Sequence, residues 1–199
     1  RDWRVENVDV RKHKTPIGVR NLANDLPDKV VETLLRVIRK NRGLFQRYFK
    51  LKAKWLGVSK LRRYDLYAPL SKSDKEVPYD EAVEMVLSTF NEFSQQLGDL
   101  ARKVFDSGHV DAEIRQGKRG GAFCASIFPG LPSYVLLNYG GRVRDVATIA
   151  HEFGHAVHAM MAGHHSLMTF HSALPMAETA SVFSEILLTE KLLAQETDR

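Results

Sequence analysis

Between Asp145 and Gly163 the chain places Val146, Ile149, Ala150, Phe153, Val157 and Met161 at the three-and-four spacing of one helix face, and the same stretch carries His151 and His155 four residues apart. No other segment narrows the fold as far, because one stripe of this helix must be buried while a neighbouring stripe holds two imidazoles one above the other. Asp145 reads as the helix start and Gly163 as its stop. Side chains four apart on a helix stand about 5 to 6 Å apart at Cβ, so both rings can reach one metal ion. Glu152 lies one position round and flanks such an ion instead of binding it. The run His151-Glu152-Phe153-Gly154-His155 is thus an HExxH sequence in the helical setting where the pattern carries chemistry, with Glu152 placed to take a proton from a metal-activated water.

A catalytic zinc takes three protein ligands and keeps one open position, so a third ligand is expected downstream. The pattern HExxHxxGxxH fails: His158 stands where its glycine would be and Met161 where its last histidine would be. A second helix instead begins at about Pro175, with Ala177, Val182, Ile186, Leu187 and Leu193 read as inward. It carries Glu178 and Glu185 seven residues apart and nearly on one face. Glu178, near the helix start, is the preferred third ligand, and Glu185 is then a carboxylate that orients a ligand imidazole. His164, His165 and His171 remain rival ligands. His158, beside the ligand pair, reads as a packed or hydrogen-bonded histidine.

Upstream, Pro27 after Asp25 starts a helix with Val30, Val31, Leu34, Leu35 and Ile38 in register, broken near Gly43. Phe45, Tyr48, Phe49, Lys52, Trp55 and Leu56 continue the period to Gly57 and read as core. Arg63 to Leu70 reads as a short extended segment and Ser71 to Lys75 as a polar loop. From Pro78, one long amphipathic helix runs through Val83, Val86, Leu87, Phe90, Leu97, Leu100 and Val104. Residues 109–140 are punctuated by glycine and proline, and Tyr134-Val135-Leu136-Leu137-Asn138-Tyr139 reads as a strand. The expected fold is mainly α with a small β-sheet.

With 44% apolar residues the chain can bury a core, and it is read as one unit. The net charge of +5 is spread among interleaved acids. Its densest group, Lys50, Lys52, Lys54, Lys60, Arg62 and Arg63, reads as a solvated helix face, so no nucleic-acid partner is expected. The single Cys124, among Ala122, Phe123 and Ala125, excludes an internal disulfide and reads as a small buried hydrophobe in a reducing, cytoplasmic setting. No run of 18 apolar residues exists, so no membrane span is expected. The chain opens at Arg1 without a methionine and closes in a charged, helical-looking stretch, and reads as a partial catalytic domain over residues 1–199. The oligomeric state is open.

The run His151 to His158, followed by Met176-Ala177-Glu178-Thr179-Ala180-Ser181-Val182-Phe183-Ser184-Glu185, resembles the thimet oligopeptidase and oligoendopeptidase F family of zinc metallopeptidases. Tyr64-Asp65-Leu66-Tyr67, Gly117 to Ala122 and Tyr134 to Tyr139 resemble stretches of the oligoendopeptidase F branch. The resemblance implies a zincin-like, gluzincin core, one Zn2+ per chain held by His151, His155 and Glu178, Glu152 as base, and cleavage of internal bonds of short oligopeptides inside a deep channel. It implies that Tyr134, Val135, Leu136, Leu137, Asn138 and Tyr139 form the edge that pairs with an extended substrate. Gly117 to Gly121 reads as a tight turn near that substrate, since the order of a phosphate loop is lacking. The family's oxyanion-stabilising tyrosine and histidine lie after the second zinc helix, beyond Arg199. The alternative reading is a zinc-binding helical module without full catalytic machinery; no stretch resembles the amine-binding motif of an aminopeptidase.

Overall fold

The computed structural model describes residues 1–70 and 76–195, and the chain divides into two compact units, Arg1–Asp74 and Lys75–Arg199. The polar loop read at Ser71 to Lys75 and the charged end from Glu196 to Arg199 lie outside the described residues.

The first unit is helical. Asp2–Arg4 (α1) runs into a π-helical turn, Val5–Val10, and Pro16–Ala23 (α2) starts on Thr15, whose hydroxyl accepts from the Gly18 N–H at 3.1 Å. Asp28–Lys40 (α3) and Arg42–Trp55 (α4) come next. The break between them falls at Asn41, not at Gly43, because the Asn41 side chain donates to the Val37 carbonyl and takes over the end of α3. Gly57, at φ +68°, is the stop after α4.

Three further expectations fail here. The aromatics of α4 are not core: Phe45 is 52% exposed and Trp55 56%, because a unit this small has too few elements to cover every apolar stripe. Arg63 to Leu70 is not extended. Arg63–Tyr67 forms a 3₁₀ helix, since the Asp65 carboxylate accepts from the Arg62 N–H at 2.7 Å and closes the chain locally. Lys52 also leaves the solvated face assigned to it: it is buried, and its ammonium donates to the Leu66 carbonyl.

The second unit holds Tyr79–Phe93 (α5), Gln95–Asp106 (α6), strands Val110–Asp111 (β1), Phe123–Ala125 (β2) and Tyr134–Leu136 (β3), and the helices Val143–Met161 (α7) and Leu174–Gln195 (α8). The single long helix read from Pro78 is two helices, because Ser94 adopts extended angles and the chain turns back. α5 and α6 then pack on each other and on α7, where Phe105 stacks on Phe153 with ring centroids 4.1 Å apart. The core is built from Val86, Leu87 and Phe90 of α5, Val104 of α6, Ile149 and Phe153 of α7, and Leu188 of α8.

The sheet order is β1-β3-β2, with β1 parallel and β2 antiparallel to β3. Asp145 does not cap α7 from outside. It occupies the third helical position and reaches back, its carboxylate accepting from the N–H groups of Gly140 and Arg142 at 2.9 and 3.1 Å. The inward face of α8 also differs from expectation: Ser181, Ser184 and Leu188 are buried, while Val182, Ile186 and Leu193 are exposed. The reason is close approach to α7, which only small side chains permit. Overall the chain is mainly α with a small three-stranded sheet, as read from its patterning. No described helix is long and apolar enough to cross a membrane.

Candidate metal centre

α7 and α8 cross so that a carboxylate from one faces two imidazoles of the other. Glu178 Oε2 stands 3.5 Å from His151 Nε2 and 3.7 Å from His155 Nε2. Donor atoms of the three residues all lie within 4.8 Å of one another, and among the described residues they are the group able to hold a metal ion. Two ligands about 2.0 to 2.1 Å from a tetrahedral ion stand roughly 3.3 Å apart, so the two histidine–carboxylate spacings fit a small tetrahedral cation. Two neutral imidazoles and one carboxylate also match the donor preferences of Zn2+.

The three side chains are partly exposed and line a cavity of about 590 Å³ that Glu152 also lines. Glu152 is buried, at 7% exposure. Burial raises its carboxyl pKa; the Glu178 charge adds to this, while His151 and the Cys124 backbone oppose it. A carboxylate so placed is more basic than a solvated one, which suits proton transfer near neutral pH. Burial lowers the pKa of His155, favouring the neutral ring that a metal requires.

Supporting residues set the geometry of each group. His151 Nδ1 lies 3.2 Å from Glu185 Oε2, so Nε2 is the nitrogen turned to the centre. The two intervening residues of the HExxH run anchor the helix on both sides. Phe153 is fully buried against α6, and Gly154 faces α8 so closely that a Cβ there would stand 2.7 Å from the Ala180 carbonyl oxygen.

Ser181 was not singled out by the sequence reading, although its position three residues after Glu178 puts both on one face. It is fully buried, and its hydroxyl lies 3.0 Å from both the Glu178 main-chain carbonyl oxygen and Glu178 Oε2, the carboxylate oxygen that faces both histidines. Ser181→Ala is therefore expected to weaken metal affinity about 10- to 100-fold in a chelator-competition titration. Ser184→Ala, which removes a hydroxyl bonded only to the Ala180 carbonyl, should leave affinity unchanged. Equal affinities for the two variants would show that Ser181 does not hold the carboxylate.

The strand Tyr134 to Tyr139 is the middle of the sheet and not its edge. β3 is paired on both sides, and the ladder towards β1 continues with Leu137 N–H to Asp111 O and Tyr139 N–H to Ala112 O. The outer strand beside the centre is β2, where Phe123, Cys124 and Ala125 line the cavity with His151 and Glu152. A central hydrophobic strand and an edge strand are not separable by periodicity alone. The Asn138 side-chain amide donates to the Arg119 and Gly121 carbonyls at 3.0 and 2.7 Å and holds the turn leading into β2, and the residue also lines a cavity that Glu152 shares. That turn uses Gly117 and Gly121 at φ +81° and +86°.

His158 lines the cavity and stands outside the group of three. His164 and His165 are exposed, and His171 lies on the cavity wall away from the donor group. Cys124 is half-buried and unpaired, with a thiol pushed up to about 11 by burial, which makes it a poor nucleophile at neutral pH.

The model of peptidase family M3 matches residues 4–199. The chain belongs to peptidase family M3. It is 30% identical over 193 residues to the chromosomal oligoendopeptidase F of Lactococcus lactis subsp. cremoris, an alignment that covers 96% of this chain and 32% of that protein. It is 31% identical over 186 residues to oligopeptidase PepF of Bacillus subtilis, covering 92% and 28%. The chain thus spans about a third of the length of the curated relatives it matches. A solved peptidase structure from Chlamydophila abortus superposes with a TM-score of 0.75 at 30% identity, over 98% of this chain and 33% of that one. An oligoendopeptidase F structure from Bacillus anthracis reaches a TM-score of 0.82 at 18% identity, over 95% and 36%, which speaks for the fold alone. Family M3 consists of metallopeptidases, and the resemblance to oligoendopeptidase F read from the motifs is borne out.

Proposed function

We propose that the protein is a zinc-dependent endopeptidase of the gluzincin type, acting on internal bonds of short oligopeptides. The observation that carries the reading is the convergence of His151, His155 and Glu178 beside the buried carboxylate of Glu152. His151 Nε2, His155 Nε2 and a Glu178 oxygen would hold one Zn2+. When bound, that ion polarises the scissile carbonyl and acidifies the attacking water.

The remaining steps belong to the chain. Glu152 takes the proton of the attacking water on a carboxylate oxygen and later gives it to the leaving amine, so no covalent link to the protein forms. Burial keeps that oxygen away from bulk water and sustains its basicity. Glu185 orients the His151 ring and Ser181 the Glu178 carboxylate. The outer edge of β2 receives the peptide as an added strand; main-chain pairing of this kind tolerates many side chains. The relatives named as oligopeptidases support short peptides as the substrate class.

The test is a Zn2+ titration of the metal-free protein combined with an internally quenched peptide. One bound ion per chain, and cleavage that a chelator abolishes and Zn2+ restores, are expected. Tight zinc binding with no cleavage in the presence of excess peptide would instead support a zinc-binding module without catalysis.

A further inference from the structure

Glu152 is shared by two cavities, and the second carries charge that the metal centre does not use. This cavity, of about 480 Å³, is lined by Gly121 and Ala122 ahead of β2 and by Arg142 and Arg144 at the start of α7. Its size suits a few residues of a peptide. Arg144 also lines a smaller hollow with Thr148, His151 and Glu185, and the spacing 144, 148, 151, 155 follows one helix face. Both arginines are exposed, and among the described residues neither is within ion-pair distance of a carboxylate. The Asp145 carboxylate, which also lines this cavity, already accepts from two main-chain N–H groups and serves the helix end. The guanidinium groups are the donors left for a ligand.

We infer that Arg142 and Arg144 bind the C-terminal carboxylate of the peptide substrate, about three residues beyond the bond that is cut. This rests on the peptidase reading of the same site. Arg144 precedes His151 by seven residues, or about 10 Å along the helix axis, and an extended peptide advances about 3.3 Å per residue, so three residues span the gap. Charge fixes the direction. A peptide added to the β2 edge can lie either way round, and one end carries an ammonium while the other carries a carboxylate. Two guanidinium groups repel the first and pair with the second in fork geometry. The peptide therefore runs antiparallel to β2, its carboxyl end at Gly121 and Ala122 and its amino end towards Ser126, which lines the first cavity. A site that reads a free carboxylate at a set distance from the metal selects short peptides cut near their C-terminus.

The test uses the zinc-loaded Glu152→Gln protein and a fluorescein-labelled peptide made as free acid and as C-terminal amide, with affinity read by anisotropy at low salt. The free acid is expected to bind about five- to tenfold more tightly, a modest ratio because the arginines are exposed, and the preference should shrink as salt is raised. Adding Arg142→Gln and Arg144→Gln should bring the ratio to one. Equal binding of acid and amide, binding of neither, or a preference that survives the double substitution would overturn the inference. If the acid preference is present and the unmodified zinc-loaded protein cleaves neither peptide, the carboxylate site stands and the peptidase reading falls.

Discussion

Glu152→Gln is expected to keep one zinc per chain and to lower peptide cleavage by about 10²- to 10⁴-fold, the usual contribution of a positioned general base. Glutamine has the same shape and fills the same buried position, so the loss would come from the missing proton acceptor and not from a rearranged helix. Stability should move the other way. Because burial raises the Glu152 pKa above its unfolded value, the stability linked to this group is fully present below the unfolded pKa and is lost as the pH rises through the folded one. Glutamine cannot ionise, so the variant should lose this pH-dependent fall in stability. The metal-free Gln variant should melt no lower than the parent at pH 7, while its turnover collapses. Cleavage retained within a factor of about ten would rule Glu152 out as the base.

Gly154→Ala should push α7 and α8 apart. On an exposed helix this change stabilises by roughly 0.5 to 1 kcal/mol, since alanine lowers the entropy of the unfolded chain. At Gly154 the new Cβ would stand 2.7 Å from the Ala180 carbonyl oxygen, the Ser181 Cα and the Ser184 hydroxyl. Two of those three atoms are in the α8 main chain, so relief requires moving the helix that carries Glu178. Overpacking of this kind costs about 1 to 3 kcal/mol, which for a chain of this size lowers the melting temperature by several degrees. The same displacement spoils the 3.5 and 3.7 Å spacings at the metal site, so zinc affinity should fall together with the melting temperature. A Gly154→Ala protein as stable as the parent, with unchanged zinc affinity, would show that the contact relaxes without moving α8.

The candidate metal ligands were legible because their signal is local. His151 and His155 are one helical turn apart, and the buried set Val146, Ile149, Phe153 and Val157 was read on the same helix. Glu178 and Glu185 came from the same rule on α8, and both meet α7 as read: Glu178 faces the two imidazoles and Glu185 the back of one. The inward face of α8 was misread because hydrophobicity marks the wrong residues there. Ser181 and Ser184 are buried since the glycine across from them allows the backbones to approach, and composition rewards the larger residues on the exposed side. The aromatic stripe of α4 shows the opposite failure: its periodicity states that a face is apolar and not that anything covers it.

The sequence by itself determined that this is a mainly helical chain of the M3 kind, with two histidines, a flanking glutamate and a downstream pair of carboxylates set out at helical spacing. Those relations span a few residues, and the geometry of one helix converts them into directions in space. Only the tertiary structure decided that β2 and not β3 is the outer strand beside the centre, that Asn138 braces the turn before it, that the Ser181 hydroxyl is buried beside the Glu178 oxygen, and that Arg142 and Arg144 share a cavity with Glu152. Each of these depends on which elements become neighbours, and that is set by close packing between surfaces far apart in the chain, which a one-dimensional pattern does not encode.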